Sequence, residues 1–152
     1  MSQIKIKQEL FKQCTAFVNK RLQTVEEIIS SNQKGLQAET KSSAGDKHET
    51  GRAMMQLEME KAGQQLAGIH EMKEILSKIN IAKCSNIAHL GSIIVTDAAT
   101  YFLAISAGQI KLAGEVYFAV SVSSPIGKLL LGKTVADEVI FNLKKVKIKI
   151  VS

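Results

Sequence analysis

Tryptophan is absent from this chain of 152 residues, and its whole aromatic content is five Phe and two Tyr. Proteins that read single-stranded nucleic acids stack bases on aromatic rings, so these few scattered rings do not favour a dedicated reader of that kind. A continuous apolar run of about 18 residues, which a membrane-spanning helix requires, is also missing. The first residues alternate polar and apolar side chains, unlike a signal peptide, so we expect a cytoplasmic protein with no membrane partner.

Cysteine is rare as well. Cys14 and Cys84 have neither a CxxC spacing nor the even spacings of a disulfide-rich domain, so we expect two reduced thiols. His70 and His89 show no ligand spacing with each other or with either cysteine, which does not favour a zinc site. A condensing enzyme of lipid synthesis would need a cysteine activated by a paired histidine in a fold of about twice this length, so that function is rejected.

The net charge of +6 is distributed unevenly along the chain. Residues 1–79 contain 12 Lys and Arg against 10 Asp and Glu, whereas residues 80–152 contain 8 against 4. A positive surplus of this size favours an acidic partner surface or a nucleic acid without specifying which. The lysine-rich segment 144–149 has two interpretations, a phosphate patch or the solvent face of an edge strand protected from aggregation.

The first half of the sequence has the periodicity of two amphipathic helices. In the first helix the apolar residues follow a heptad seam that skips Thr15 and Asn32, and after a polar break the second helix repeats the pattern. The two seams consist of Phe11, Val18, Leu22, Val25, Ile29 and Leu36, and of Met55, Met59, Ala62, Leu66, Ile69 and Leu76. Two stripes of matching length predict an antiparallel helical hairpin.

The residues between these helices are polar and small, and the turn of the hairpin is predicted near Ser43 to Asp46. The segment Gly45-Asp46-Lys47-His48-Glu49 displays two carboxylates where few packing constraints apply. Because Mg²⁺ prefers carboxylate oxygens, Asp46 and Glu49 are candidate metal ligands. The alternative is structural, since Asp-x-x-Glu is also the signature of a capping box at a helix start. Both roles can hold at once.

After residue 80 the apolar period changes from helical to strand-like. Short β-branched or aromatic runs predict the strands of a small antiparallel sheet. These runs lie at 91–96, 101–105, 116–120, 138–141 and 146–150. We therefore predict an α+β fold in two parts, a helical hairpin at 1–79 and a sheet domain at 80–152.

A short helix is predicted between the third and fourth of these runs. Ser124 can cap it, Pro125 suits its first position, and Gly132 can end it. One apolar side of this helix would cover one face of the sheet. That side consists of Ile126, Leu129 and Leu130.

Two motifs make the chain resemble the bacterial Gre transcript-cleavage factors, GreA and GreB. The segment 45–49 looks like the family's hairpin-tip pattern Gly-Asp-x-x-Glu. The segment 124–133 resembles its C-terminal signature Ser-Pro-Ile-(small)-x-x-Leu-(Leu/Ile)-Gly-Lys, followed by an acidic residue, here Asp137. The motifs occur in the expected order. Together with the heptads and β-runs around them they cover nearly the whole chain.

The resemblance implies an antiparallel coiled coil followed by a C-terminal domain with the fold of FK506-binding proteins. It implies that a monomeric factor binds RNA polymerase, with the acidic tip at 43–50 entering the secondary channel and meeting the nascent RNA 3′ end only indirectly. DNA binding is expected on the same ground. Contacts of the C-terminal domain with the polymerase would involve Ser124, Pro125, Ile126, Gly132 and Lys133.

The chemistry implied by the resemblance is cleavage of backtracked RNA by the polymerase itself. Such hydrolysis favours two divalent cations, and the polymerase holds the second one weakly. Asp46 and Glu49 would supply oxygen ligands to that second Mg²⁺. The factor would then have no activity and no cofactor of its own.

The tip departs from the family pattern where the sequence continues Thr50-Gly51-Arg52, with a cation at a position that is usually acidic. This departure leaves open a non-catalytic or inhibitory channel binder, or a coiled-coil interaction module. A prolyl isomerase is not favoured, because its pocket needs an aromatic lining and likeness of fold is a weak ground for function. Local differences are also expected at Ala136, where glycine is common, and at 142–145, which replaces a Pro-Gly-Gly turn.

Overall fold

The computed structural model describes residues 2–40 and 46–152, which form three helices and six strands. The helices are α1 (Gln3–Thr40), α2 (Asp46–Ser77) and α3 (Pro125–Leu130). The strands are β1 (Ile93–Thr96), β2 (Thr100–Ala104), β3 (Gly108–Leu112), β4 (Glu115–Ser121), β5 (Glu138–Phe141) and β6 (Lys144–Val151). The α+β class is confirmed, whereas most of the predicted turn at 43–46 lies outside the described residues.

Helix α1 begins after Ser2, whose hydroxyl oxygen accepts a 3.3 Å hydrogen bond from the backbone N–H of Lys5. This is the bonding of an N-cap serine, and it satisfies one of the donors that a helix start leaves free. None of the helices in residues 2–40 and 46–152 combines the length and the apolar content needed to traverse a bilayer.

The buried seam of the two long helices follows the predicted heptads. Among the predicted seam positions and their skipped steps, those with the least exposure recur every seven residues and are Val18, Val25 and Asn32 in α1, and Ala62, Ile69 and Leu76 in α2. The start of α1 differs from the prediction, because Leu10 and Cys14 are fully buried there while Phe11 is half-buried. Asn32, a step that interrupts the apolar pattern, is nevertheless only 8% exposed. Polar residues at such seam positions specify register at some cost in stability. The prediction of two amphipathic helices is confirmed.

By its contacts the chain divides into two compact units. One unit contains Met1–Phe17 together with Lys73–Ser152, and the other contains Val18–Met72. The first unit therefore includes both outer ends of the two long helices as well as the sheet. The predicted boundary between the helical hairpin and the sheet domain, after residue 79, is defined by the change from helical to strand periodicity and not by contacts. This boundary stays a prediction.

In the second unit α1 and α2 pack against each other as a helical hairpin. A Cβ atom added to Gly35 would lie 2.9 Å from the Cε atom of Met55. Further from the connection, Ile28 of α1 and Ala62 of α2 line the same surface groove. Residue numbers thus fall along α1 as they rise along α2, which is the course of two antiparallel helices.

The six strands form one sheet in the order β3-β4-β2-β1-β6-β5. Neighbouring strands pair antiparallel except β2 and β4, which run parallel with Tyr101 opposite Phe118. The prediction of a wholly antiparallel sheet is therefore wrong. It fails because it omits strand β3, which lies between β2 and β4 along the chain. Strand β4 pairs antiparallel with β3 and therefore runs beside β2 in the same direction as β2.

Strand β3 escaped prediction because its sequence carries little strand signal. It reads Gly-Gln-Ile-Lys-Leu and buries only Ile110. A single buried residue cannot establish an alternation of apolar and polar side chains. Its position at one edge of the sheet explains this weak signal, since only one neighbouring strand contacts it.

Strand β6 pairs with β1 on one side and with β5 on the other. In the strand order β6 lies between them, but the two ladders cover different parts of it, since Lys144–Lys147 pair with β5 and Ile148–Val151 pair with β1. Lys144 and Lys145 therefore have a neighbouring strand on one side only, and the interpretation of the lysines as the protection of an edge stays open. The sequence could not separate the two cases, because alternating Lys and apolar residues are typical of any strand with one solvated face. The edges of the sheet are β3 and β5.

Helix α3 covers one face of the sheet, as predicted. Ile126 and Leu130 of α3 are buried in one cluster with strand residues that include Ile94, Leu103 and Ile148. Leu129 is half-buried against the same cluster. Burial of a large aliphatic side chain stabilises a fold by roughly 1.5 to 3 kcal/mol, so these contacts fix α3 on the sheet.

Candidate functional site

The Gly-Asp-x-x-Glu motif lies where α2 begins. Asp46 is the first residue of that helix, and the helical backbone places position 49 one turn further on. The side chains of Asp46 and Glu49 lie outside the described part of the chain. Their assignment as metal-supporting acids therefore stays a prediction, as does the alternative that they cap the helix.

Arg52 follows one helical turn after position 49, and its side chain is exposed. Residues three apart on a helix are neighbours on its surface. A guanidinium at this position places a fixed positive charge one helical turn from the second candidate acid in the sequence.

The second motif builds the start of α3. The hydroxyl of Ser124 donates a 2.6 Å hydrogen bond to the carbonyl oxygen of Ser121 and accepts one of 3.1 Å from the backbone N–H of Gly127. Ser124 is thus the N-cap, and Pro125 occupies the first turn as predicted. Capping of this kind contributes about 1 kcal/mol.

Gly127 occupies the position of the motif that requires a small residue, and sterics explain why. A Cβ atom there would overlap the carbonyl oxygen of Ser121 and would lie 2.9 Å from the hydroxyl of Ser124. A side chain at this position would therefore push α3 away from the end of β4. The small residue is a condition for the cap and for the packing of the helix.

The end of α3 is held by the segment that precedes the sheet. The backbone N–H of Gly132 donates to the carbonyl oxygen of Ala88, and the N–H of Ala88 donates to the carbonyl oxygen of Lys133, both at 2.8 Å. Gly132 has a φ of +81°, a conformation that glycine adopts without strain. The glycine ends the helix, as predicted, and turns the chain toward this pair of bonds.

The five residues predicted to contact a partner differ in how accessible their side chains are. Ile126 is 7% exposed and faces the core, while the hydroxyl of Ser124 is engaged in the cap. Pro125 and Gly132 are exposed, and Lys133 is half-buried. A partner would therefore meet Pro125, Gly132 and Lys133, with Ser124 and Ile126 holding them in place.

An exposed apolar patch surrounds the end of α3 and was not predicted from the sequence. Leu131 is 44% exposed, Val135 is 50% exposed and Ile87 is 57% exposed. The hydrogen bonds of Ala88 with Gly132 and Lys133 bring the chain around Ile87 next to the chain around Leu131. We call Ile87, Leu131 and Val135 the α3 patch. Apolar patches of this sort mark contact surfaces more often than single exposed residues do.

A second cluster of polar groups surrounds the buried side chain of Lys7. Lys7 is 1% exposed, and its amine donates a 2.9 Å hydrogen bond to the carbonyl oxygen of Lys83. Burial lowers the pKa of this amine, an effect that the neighbouring Cys84 partly opposes. The sequence contains a signal for this burial, because Lys7 lies on the same helical stripe as the fully buried Leu10 and Cys14.

His89 belongs to the same cluster. Its Nδ1 atom lies 2.7 Å from the hydroxyl of Ser92, and its buried Nε2 atom has no hydrogen-bond partner among the described residues. Burial lowers the pKa of His89, the charges of Lys7 and Lys83 lower it further, and a hydrogen bond to the carbonyl of Ile87 opposes them. The imidazole is thus held in its neutral form beside cations.

The two cysteines are free thiols, with Cys14 buried and Cys84 exposed. Burial raises the pKa of Cys14 to about 11, so this thiol is protonated and unreactive at neutral pH. Within residues 2–40 and 46–152, the side chains described include no group of three or more His, Cys, Asp or Glu that could hold a metal ion.

Comparison with protein-family models finds no match to this chain, and no curated protein matches it.

Proposed function

We propose that this protein is a Gre-like accessory factor that binds bacterial RNA polymerase through the secondary channel and stimulates Mg²⁺-dependent cleavage of backtracked RNA. The observation that carries the proposal is the position of the Gly-Asp-x-x-Glu motif, which starts α2 at the connected end of two packed helices. Segments that connect two elements commonly carry binding functions, which is why these acids are proposed to meet a partner.

The proposed chemistry is the donation of ligands to another enzyme's site. Hydrolysis of an RNA phosphodiester is favoured by two divalent cations, one activating water and one stabilising the leaving oxygen. Mg²⁺ takes oxygen ligands and keeps several waters, so one or two added carboxylates can raise the occupancy of a weak site. Asp46 and Glu49 are the residues proposed for this role, and the protein has no activity alone.

The C-terminal domain is proposed to have the fold of FK506-binding proteins and to grip the rim of the channel. Support comes from a six-stranded mixed sheet with α3 on one face. The second motif adds to it, because Ser124 caps α3 and Gly127 allows the helix to lie close to the carbonyl oxygen of Ser121, which are roles that the serine and the small residue of the signature suit. The surface proposed for this contact is the α3 patch with Pro125 and Lys133.

The exposed guanidinium at Arg52 favours a second candidate function. A cation one turn from Glu49 weakens the attraction of the tip for Mg²⁺, so the protein would occupy the channel without stimulating cleavage. In that case it regulates the polymerase by occupancy, as a non-catalytic or inhibitory binder.

The test is RNA shortening in a stalled, backtracked elongation complex of purified bacterial RNA polymerase with Mg²⁺. The decisive variant is Asp46→Asn with Glu49→Gln. Asn caps a helix as well as Asp does, and Gln can replace Glu in a capping box, so this variant keeps the helix start and removes only the two charges. We expect cleavage to fall at least about tenfold, or roughly 1.4 kcal/mol in the barrier, while binding to the polymerase persists.

The variant Arg52→Glu separates the two candidate functions. If the protein stimulates cleavage, this change brings a third acid near the tip and cleavage stays the same or increases. If the natural protein only occupies the channel, it slows cleavage and Arg52→Glu converts it toward stimulation. Equal RNA shortening by the natural protein and by the Asp46→Asn, Glu49→Gln variant would refute the role of the acids.

A further inference from the structure

Four lysines are concentrated at one end of the sheet. Lys144, Lys145, Lys147 and Lys149 all belong to β6 and are exposed, and they supply half of the 8 Lys and Arg in residues 80–152. The residues between them, Val146 at 4% and Ile148 at 0% exposure, face the core. Because side chains alternate along a strand, Lys145, Lys147 and Lys149 lie on the opposite face. We call these three the lysine face.

Protection of a sheet edge can explain part of the lysine face, because Lys145 is paired only with β5, but it does not explain Lys147 and Lys149, which lie where β6 meets β1 and the chain at Asp97. Stability does not explain the lysine face either. Like charges on alternate positions of one strand repel each other and add no stability to the sheet. A solvated sheet face requires polar side chains but not a row of one sign, so this concentration of positive charge is available to an anionic partner.

Acidic residues around the lysine face offset only part of its charge. Glu138 stands opposite Lys147 in the register of β5 and β6, and its carboxylate lies 3.8 Å from the amine of Lys145. Both side chains of this ion pair are more than half exposed, so the pair contributes little. The carboxylate of Asp97 accepts a 3.0 Å hydrogen bond from the backbone N–H of Lys147. Four cations beside two acids leave a net positive surface.

The spacing of the lysines suits a repeating anion. Alternate residues of a regular strand are about 6.8 Å apart, which applies to Lys145 and Lys147. The register between β1 and β6 shifts here, since Val95 is opposite Ile150 and Thr96 is opposite Ile148, which leaves Lys149 as the extra residue of a bulge. A bulge changes the direction of the bulged residue's side chain and increases the local twist of the strand, so the amine of Lys149 can contact a phosphate backbone that curves.

We propose that the lysine face, with Lys144 at its end, binds the sugar-phosphate backbone of a nucleic acid without reading its bases. Lysine binds phosphate as a point charge, and several amines along one strand complement the successive phosphates of a nucleic-acid backbone. Sequence reading would need base-edge contacts or stacking, and the few aromatic rings of the chain provide no stacking platform here. The lysine face and the acids at the start of α2 belong to different compact units, and binding by the lysine face does not depend on the proposed function.

The test is fluorescence anisotropy of the full chain with labelled oligonucleotides of about 20 residues, one a DNA duplex and one a single-stranded RNA. Each phosphate contact contributes about −0.9 for duplex DNA and about −0.7 for single strands to the slope of log K against log salt. Three or four contacts therefore predict a slope of about −3. Affinity should fall roughly 60-fold between about 50 and about 200 mM salt.

The variant Lys145→Gln, Lys147→Gln, Lys149→Gln should bind at least about tenfold more weakly at low salt, with a slope reduced by about 2 units. Its matched control is Lys12→Gln, Lys20→Gln, Lys73→Gln, which removes three exposed lysines from the two long helices and changes the net charge equally. The control should keep the affinity of the natural chain within about twofold. Replacement of the three lysines of the lysine face by Arg should also preserve the affinity. This variant keeps the charges, so it distinguishes a loss of affinity caused by lost charge from one caused by misfolding.

Three results would overturn the proposal. Equal weakening by both triple Gln variants would assign binding to net charge rather than to the lysine face. Unchanged binding by the lysine-face variant would exclude this surface. Competition by polyglutamate at the same charge concentration as the oligonucleotides would instead indicate an acidic protein partner, which the exposed Ile140 opposite Lys145 would suit. The two oligonucleotide arms decide between duplex DNA and single-stranded RNA as the preferred ligand.

Discussion

The amine of Lys7 donates a 2.9 Å hydrogen bond to the carbonyl oxygen of Lys83, across 76 positions of the chain. The bond joins the first turns of α1 to the segment that leads into β1, and both belong to the same compact unit. A lysine that is 1% exposed with one carbonyl acceptor is poorly solvated, which is why its pKa is lowered. The bond therefore positions α1, while burial of the amine that makes it lowers the stability of the fold.

Replacement of Lys7 by Met should leave the protein equally stable or stabilise it by about 1 kcal/mol. Met fills a similar volume, and it removes the desolvation cost of the amine at the price of one hydrogen bond worth about 1 kcal/mol. The measurement is urea unfolding followed by circular dichroism. Lys12→Met, at an exposed position of the same helix, is the control and should change stability by less than about 0.5 kcal/mol. A loss greater than about 2 kcal/mol in Lys7→Met would mean that the bond to Lys83 dominates.

The lowered pKa of His89 predicts a stability that falls as the solution becomes acidic. In the unfolded chain the pKa of His89 is about 6.5. In the folded protein this pKa is lower, because the imidazole is buried and lies beside the charges of Lys7 and Lys83. The stabilising contribution is therefore complete above about pH 6.5 and is lost as the pH falls toward the lower pKa of the folded state. Unfolding free energies measured between about pH 7.5 and about pH 5.5 should decrease.

His89→Gln should flatten this part of the pH profile, because glutamine does not titrate. His70→Gln is the matched control, since His70 is exposed on α2 and should leave the profile of the natural protein unchanged. A pH profile that is the same in His89→Gln and in the natural protein would assign the dependence to other groups.

Local sequence signals predicted the parts of this fold that local physics determines. The heptads of α2 at Ala62, Ile69 and Leu76 were recognised because helical periodicity repeats within a few turns. The cap at Ser124 was recognised because the hydroxyl bonds to a backbone group three residues away. Acids at the start of α2 were recognised as a motif, and the role proposed for them requires a partner that the chain does not contain.

Features that depend on distant contacts were not predicted. The parallel pairing of β2 with β4 follows from where β3 goes, and β3 has no alternating pattern of its own. The helical stripe of Leu10 and Cys14 indicates that Lys7 faces the interior, but its hydrogen-bond acceptor, the carbonyl oxygen of Lys83, lies 76 residues later and has no local signal. The α3 patch likewise arises from bonds between Ala88 and the chain at 132–133.

The turn between β5 and β6 predicts a stabilising substitution. Asn142 and Leu143 have φ angles of 52° and 66°, the left-handed conformation that a two-residue hairpin turn of type I′ requires at both central positions. Asparagine tolerates this conformation, whereas leucine is strained by about 1 kcal/mol, and the side chain of Leu143 is 99% exposed. Glycine relieves this strain but increases the entropy of the unfolded chain, so Leu143→Gly should stabilise the protein by a net amount of up to about 1 kcal/mol. Thermal unfolding checks this, and a lower melting temperature would contradict it.

A matched pair of glycine substitutions tests the packing of α3. In Gly127→Ala the new methyl group would overlap the carbonyl oxygen of Ser121, which is backbone at the end of β4 and already accepts the hydroxyl of Ser124. Relief requires α3 to shift, which breaks the cap and disturbs the buried Ile126, so we expect a loss of about 3 kcal/mol or more.

Gly63→Ala is the control for this prediction. Gly63 lies within α2, and a Cβ atom there has no neighbour within 4 Å, so alanine should stabilise the helix by about 0.5 to 1 kcal/mol. Opposite signs in urea unfolding, destabilising at 127 and stabilising at 63, are the expected result. If Gly127→Ala unfolds at the same urea concentration as the natural protein, α3 can move without cost, and the motif then requires its small residue for contact with a partner.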